Sequence, residues 1–394
     1  MDAETRDFAR QRAPHWPAGR ETALLLFGGL SLHRLFLLIA PLLYAAYALL
    51  TPPFQTPDEH QHLFRAWQLS ELQLIGERRG VEAGGVLPQG LGAAAVQELG
   101  ALEPHATHPV VKRPLDTLFN RDTPPETGAP HRFLNFFGSV IYSPAGYIPQ
   151  VLSVWLGDAA GLSVENILGL GRLFNAAATI LLIYWSIRLT PVGALPLMWV
   201  GLLPMTACAA AAFGQDGPVI GGACLVTAIG LRVALNDRWN RSELLITAAL
   251  ALSLTLSKIF YLPLAMIAGQ PFRKPLPWPR LLTSLLICAI TGALTLMWLQ
   301  AVSGLVVPPQ MNVPPAVGRL EGWLQQPTQL LLLLARTCVD QGGHLFDSLF
   351  KFGWLNVGPV GPAASLSTLA FGFVLLAGDP AADLNDIYLF VNPN

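Results

Sequence analysis

The hydrophobic positions of this chain are gathered into long runs rather than spread at a soluble-helix or strand period, and that arrangement decides its class. A helix that crosses a bilayer needs about 20 mostly apolar residues. Residues 30–50, 167–188, 192–213, 217–236 and 281–303 each meet that requirement. Two further runs are less regular: 243–269 is interrupted by Lys258, and 361–377 is short. A long polar stretch, 51–166, follows the first run, and a second, 304–360, follows the run at 281–303. The second stretch is rich in proline (Pro308, Pro309, Pro314, Pro315) and holds an amphipathic segment near 328–350. The predicted architecture is an all-α, polytopic transmembrane helical bundle with a large first extracytoplasmic loop. Residues 1–29 form a cytoplasmic segment, 30–378 the transmembrane domain and 379–394 a polar C-terminal tail. No repeated helix pair of the kind that marks many transporters is visible along the chain.

Composition agrees with the pattern. Hydrophobic residues make up 52% of the 394 and charged residues 12%, against roughly 25% charged in a soluble domain. Lipid must therefore be the solvent for much of the surface. A net charge of -1 excludes a nucleic-acid partner, which needs a basic excess to neutralise phosphates. Cys208, Cys224, Cys288 and Cys338 lie in or beside apolar segments without paired spacing and read as packing residues.

Lysine and arginine in short loops favour the cytoplasm. Arg6, Arg10, Arg12, Arg20 and Arg34 place the N-terminus inside, ahead of an uncleaved anchor. Arg188, then Arg232, Arg238 and Arg241, then Arg273, Lys274 and Arg280 belong on the same side. Counting crossings, 51–166 and 304–360 then lie outside together. The segment 143–156, with Pro144 and Pro149, reads as an interfacial helix rather than a span. The segment 243–269, basic at both flanks, reads as a broken or re-entrant hairpin turning near Ser257 and Lys258. A single span with one basic loop outside is the alternative.

The densest polar cluster, residues 52–67, follows the first run directly. Pro57 suits the first position of a helix, and Asp58 and Glu59 fall in its first turn, where the macrodipole favours negative charge. At spacings of four and three, Asp58, His62 and Arg65 share a helical face. A carboxylate, an imidazole and a guanidinium so placed suit general-base catalysis beside an anionic group; a solvated helix start explains the same residues. Asp58, Glu59, His60 and His62 could also be metal ligands, and a carboxylate-led site would take Mg or Mn as cofactor rather than Zn. Against a metal, adjacent residues point in different directions and no second cluster follows at ligand spacing.

Further along, the aromatics and prolines of 136–150, including Tyr142 and Tyr147, suit an interfacial anchor. Arg172 near the outer end of its span marks either an anionic partner or a snorkelling side chain. Asp216 is a helix cap or a site residue. Lys258, deep in an apolar segment, requires a partner that the sequence does not name. Lys351 and Trp354 pair a cation with an aromatic ring near the membrane, as a sugar or phosphate contact or as an anchor.

The Pro-Asp-Glu-x-x-His-x-x-Arg-Ala run at 57–66 resembles an uncharacterised family of bacterial membrane proteins known as domain of unknown function 2142. The resemblance extends to Tyr142-Ser143-Pro144 with Tyr147 and Pro149, Gly171-Arg172-Leu173 with Asn175, Lys258 with Tyr261 and Pro263, and Gly353-Trp354-Leu355. That family is similar in turn to the C-type (GT-C) glycosyltransferases, multi-span enzymes that take sugar from a polyprenyl-phosphate carrier and place an acidic residue in the first outer loop. The resemblance implies Asp58 as general base, with Glu59 positioning the acceptor or contacting a metal. His62, Arg65, Arg172, Asp216, Lys258, Lys351 and Trp354 would bind substrate, and the partners would be the lipid bilayer, a polyprenyl-phosphate-linked sugar and a saccharide or lipid acceptor. The expected location is a bacterial inner membrane. A transporter or flippase of lipid-linked saccharides and a non-catalytic scaffold of envelope polysaccharide assembly are the rival expectations. The resemblance also leads one to expect further spans and a Gly-Arg-Tyr-like segment beyond Gly353; a polar tail from Asp379 stands there instead, as in a truncated chain.

Overall fold

A computed structural model of the protein describes residues 30–102, 130–236, 241–269, 278–307 and 325–348. Lys351, Trp354, the run at 361–377 and the tail from Asp379 lie outside the described residues.

Among the described residues the chain is mostly helical, and four helices there are long and apolar enough to cross a membrane. The first, α1 (Leu32–Leu50), buries Leu32, Phe36, Ala40, Tyr44 and Ala48. That strict spacing of four is one stripe of the helix. The opposite side leaves Leu38, Leu42 and Leu50 exposed, as expected where lipid and not protein covers it. After α1 the chain leaves the bundle and builds a cap. Its parts are α2 (Glu59–Ser70), strands β1 (Glu77–Arg79) and β2 (Glu82–Pro88), α3 (Gln89–Leu102), β3 (His131–Asn135), a 3-10 turn at Pro144–Tyr147 and α4 (Ile148–Ala159).

The cap corrects the expectation of an all-α chain, because β2 is the centre of a three-stranded antiparallel sheet in the order β1-β2-β3. Two local features make the sheet. Arg79 pairs with Glu82 across a two-residue turn whose first residue, Gly80, has φ +65, the conformation that a tight hairpin demands there. Gly84 then lets β3 approach, since a Cβ at that position would lie 1.8 Å from the Leu134 carbonyl oxygen.

From the cap the chain re-enters the bundle as α5 (Val164–Leu189), capped by Ser163 Oγ, which accepts from the Asn166 amide. The run at 192–213 returns alongside it, but not as the single span that its composition predicts. It breaks into α6 (Ala194–Leu202) and α7 (Pro204–Ala210), because Pro204 cannot supply an amide to the preceding turn and takes the first position of a new helix. Tyr44 Oη crosses from α1 to donate to the Gly201 carbonyl at 2.7 Å, close to the break.

Next come α8 (Asp216–Asn236) and then α9 (Arg241–Ser257), which runs back towards the cap. Helix α9 stops at Ser257, Lys258 is extended (φ -148, ψ 116), and α10 (Leu264–Gly269) reverses direction. The reversal is fixed by neighbours: Leu264 and Ile267 pack with Val219, Val226 and Leu254. Finally α11 (Trp278–Val302) runs antiparallel to α10, with Ser284 Oγ donating to the Met266 carbonyl and Trp298 Nε1 reaching the Ile141 carbonyl in the cap. The segment 241–269 is thus a hairpin that starts and finishes at the end of the bundle remote from the cap, with Lys258 at its apex. Beyond it, α12 (Pro327–Ser348) coincides with the amphipathic segment of the second polar stretch, and its described side chains are nearly all exposed.

Helix directions place Arg34, Arg188, Arg232, Arg241 and Arg280 at the bundle end away from the cap, where Arg232 also pairs with Glu243 at 3.5 Å. Helix α4 is amphipathic in the inverted sense. It buries Gln150 and Ser153 while Ile148, Leu152, Trp155 and Leu156 stay exposed along one stripe. The helix thus turns most of its apolar side chains outward, with Val154 alone among the large ones fully buried.

Candidate functional site

The residues singled out in the sequence separate into an interior framework and an open cluster. The framework centres on Glu59 and Arg172, both buried, joined by a two-pronged ion pair of 2.6 and 2.7 Å. Arg172 comes from α5, with Gly171 before it because a Cβ there would strike the Phe213 ring at 2.1 Å. Its remaining N–H groups donate to the Ala48, Thr51 and Pro52 carbonyls. Those carbonyls lie at and just past the C-terminal end of α1, where helix carbonyls lack intrahelical partners. Glu59 in turn accepts from the backbone amides of Phe54 and Phe213, each at 2.9 Å. One pair therefore ties together the end of α1, the start of α2, α5 and the loop between α7 and α8. With every guanidinium donor and both carboxylate oxygens engaged, neither residue presents a free polar atom to a ligand.

Arg65 is also interior. Its Nε and one terminal nitrogen donate to the Tyr142 carbonyl at 3.1 and 2.7 Å, that nitrogen also reaches the Leu74 carbonyl at 2.9 Å, and the other terminal nitrogen meets Gln68 Oε1. Burial pulls its pKa down to about 10, which leaves it charged at neutral pH. The sequence spacing placed Arg65 on the face of Asp58 and His62; the fold turns that side chain into the cap, where it holds the turn after β3 against α2.

The open cluster lies just above this framework. Asp58 stands immediately before α2 in the left-handed conformation (φ 58), exposed, with Oδ1 accepting from Gln61 Nε2 at 3.1 Å. One turn on, His62 Nδ1 lies 2.6 Å from the Tyr147 hydroxyl, and its ring stacks on Tyr142 at 5.9 Å with an interplanar angle of 9°. Lys258, at the hairpin apex, donates to Asp216 Oδ1 at 2.6 Å, and both side chains are about half exposed. Asp58 precedes His62 by one helical turn, Gly214 lies against the His62 ring two residues before Asp216, and Lys258 pairs with Asp216, so three separate parts of the chain come together around His62. Beside them Gln215 is buried, and neither of its amide atoms has a hydrogen-bond partner among the described residues. Gly146 makes room for it, since a Cβ there would be 2.4 Å from Gln215 Oε1 and 2.8 Å from Ser257 Oγ.

Burial lowers the pKa of His62, outweighing the nearby carboxylates, and lowers that of His60 in the same way. The folded state thus binds these protons less readily than the unfolded chain does. Stability from this source is complete above the ordinary imidazole value of 6.5 and is lost as pH falls below it. Thermal unfolding of the detergent-solubilised protein between about pH 7 and 5 should show a falling midpoint on the acid side. His62→Gln should flatten that slope; an unchanged slope in the variant would assign the acid sensitivity elsewhere.

Of the sequence candidates, Asp58, His62, Asp216 and Lys258 meet in the open cluster, Glu59, Arg65 and Arg172 form the framework, and Lys351 and Trp354 lie outside the described residues. Lys258 acquires the partner the sequence left unnamed, Asp216. Tyr142 and Tyr147, which the sequence reads as interface anchors, face His62 instead, and Tyr147 is fully buried. Gln215 carries no signal in the sequence. Asn175 carries only its place in the resemblance; its amide nitrogen bonds the Ala210 and Ala212 carbonyls and its oxygen accepts from Gln150, which steadies the loop behind the cluster. No group of three or more His, Cys, Asp or Glu side chains among the described residues is arranged to hold a metal ion.

Residues 41–385 match the family described as predicted membrane protein (DUF2142). The chain belongs to that family. The match begins inside α1 and takes in the cap, the rest of the bundle and both polar stretches, so the framework and the open cluster both fall inside it. No curated protein and no solved structure matches the chain.

Proposed function

We propose that this DUF2142 protein is a glycosyltransferase that moves a sugar from a polyprenyl-phosphate donor to an acceptor hydroxyl at the outer face of a bacterial inner membrane, on a GT-C-like framework. The observation that carries the reading is the grouping, at the cap end of the bundle, of an exposed carboxylate, Asp58, one turn before His62, with the half-exposed Lys258–Asp216 pair on the loop side of that histidine. The opposite end bears Arg34, Arg188, Arg232, Arg241 and Arg280, which by the positive-inside rule faces the cytoplasm.

In this reading Asp58 takes the proton of the acceptor hydroxyl as its oxygen attacks the sugar C1 from the side opposite the phosphate. The C1–O bond to the phosphate breaks, the polyprenyl phosphate departs with the electron pair, and the product has inverted configuration. Lys258 gives one of its three ammonium N–H groups to Asp216 and keeps two to meet the charge that builds on the departing phosphate. Arg172 and Arg65 drop out of that role, their donors being engaged within the fold. Lys351 and Trp354 stay as substrate-binding candidates from sequence alone. A lipid-borne donor suits this reading, since its phosphate stays at headgroup depth and the outward apolar stripe of α4 is consistent with a cap resting there.

One feature favours the flippase reading: Lys258 sits at the non-helical apex of the 241–269 hairpin, and broken helices of this kind line substrate paths in transporters. A panel of radiolabelled polyprenyl-phosphate sugars, incubated with the purified protein in vesicles with and without Mg or Mn, separates the two. Label transferred to an acceptor supports the transferase. Label that crosses the bilayer without transfer supports the flippase, and neither outcome leaves the scaffold reading.

A further inference from the structure

We infer that Tyr147 locks His62 in the tautomer that carries its proton on Nε2, so that the open cluster presents a neutral imidazole as a hydrogen-bond donor rather than as a base. The argument starts from the phenol. Tyr147 lies wholly inside the cap core, and among the described residues its hydroxyl meets a single hydrogen-bond partner, His62 Nδ1 at 2.6 Å. A hydroxyl has one proton to donate, and burial raises the Tyr147 pKa well above its ordinary value, so that proton is present at neutral pH. Were Nδ1 protonated, the two protons would face each other or the phenol's would be left buried without an acceptor, which is unfavourable. The proton therefore runs from Tyr147 to Nδ1, and the neutral ring keeps its other proton on Nε2.

The surroundings agree. Asp58, Glu59 and Asp216 draw a second proton towards the ring, Lys258 opposes it, the Tyr142 ring covers one face, and burial outweighs the carboxylates. Nε2 makes no hydrogen bond among the described residues, and Gly214 backs the Cδ2–Nε2 edge without a side chain, a Cβ there falling 3.8 Å from Nε2. The N–H on that side is left for a ligand. An imidazole so fixed cannot compete with Asp58 for the acceptor proton, and it supplies a donor for an oxygen that gains negative charge. The tautomer stands on the geometry of the protein alone; its use on a leaving phosphate rests on the transferase reading. Tyr147 is then a positioning residue and His62 the group that touches substrate.

The experiment is nitrogen-15 NMR of the full chain in lipid nanodiscs, labelled on histidine, with His62 assigned by difference from His62→Gln. At about pH 7 the expected spectrum has a protonated Nε2 and an unprotonated, hydrogen-bonded Nδ1. A proton on Nδ1, or an imidazolium, would overturn the inference. In Tyr147→Phe the Nδ1 resonance should move to the position of a free nitrogen and a mixture of tautomers should appear; an unchanged spectrum would also overturn it. Should that variant misfold, the wild-type spectrum decides by itself. These readouts need no substrate, so they stand or fall apart from the transferase proposal. If transfer is observed, His62→Gln, which keeps an N–H near the Nε2 position, should retain activity within about tenfold, while His62→Asn should lose on the order of 10²-fold. Equal loss in both would remove the donor role.

Discussion

Arg172→Ala is expected to cost about 3–5 kcal/mol of stability, enough to deplete the folded protein. The loss has three parts. Glu59 is left as a buried carboxylate with two backbone amides but no cation. The Ala48, Thr51 and Pro52 carbonyls lose their donor. A guanidinium-sized void opens between α1 and α5. Removing a buried ion pair in favour of well-packed apolar residues is often close to neutral, but not here, because the carbonyls and amides would remain unpaired. The double variant Arg172→Met with Glu59→Met should therefore recover part of the loss, since no charge is left buried, yet stay clearly less stable than wild type. Thermal unfolding and the yield of monodisperse protein in detergent read this directly; a double variant as stable as wild type would show that the pair carries no structural burden.

Asp58→Asn is expected to behave in the opposite way, leaving the fold intact and, if transfer is the activity, lowering kcat by about 10² to 10⁴. The side chain is exposed and accepts one hydrogen bond, from Gln61, and Asn tolerates the same left-handed backbone. Asp58→Gly sharpens the test. Relief of the positive φ should raise stability by up to about 1 kcal/mol while the carboxylate is lost. A protein that is more stable yet inactive would be hard to explain unless the carboxylate serves chemistry. Full activity in Asp58→Asn would remove it as the base.

The contrast between these two substitutions shows where the sequence stops being informative. Adjacent acidic residues at 58 and 59 are alike as letters, yet one faces solvent and the other is sealed inside. What decides is the partner of Glu59, which lies 113 positions away, and no local pattern encodes a contact at that range. Lys258 is similar: its burial cost demanded a counter-charge, but Asp216 is 42 positions distant and could equally have capped its own helix. Long apolar runs were readable because length and composition alone make a span, and the hairpin turn at Ser257 and Lys258 falls where the charge interrupts the run. The break at Pro204 followed from one residue in a run whose composition is otherwise that of a span. The sheet is not legible in the sequence because its strands are short and Gly84 and Gly85 interrupt β2, so no alternation of apolar and polar positions develops.

The inverted polarity of α4 bears on how the cap can be handled in the laboratory. Ile148, Leu152, Trp155 and Leu156 form an oily ridge, and Val164, Ile167 and Leu168 of α5 complete the core behind it. A cap excised without its helices would have a bare ridge and an unfilled interior, and would self-associate in water rather than stay monomeric. Fragments made for ligand screening therefore need to keep α1 and α5 and a micelle around them.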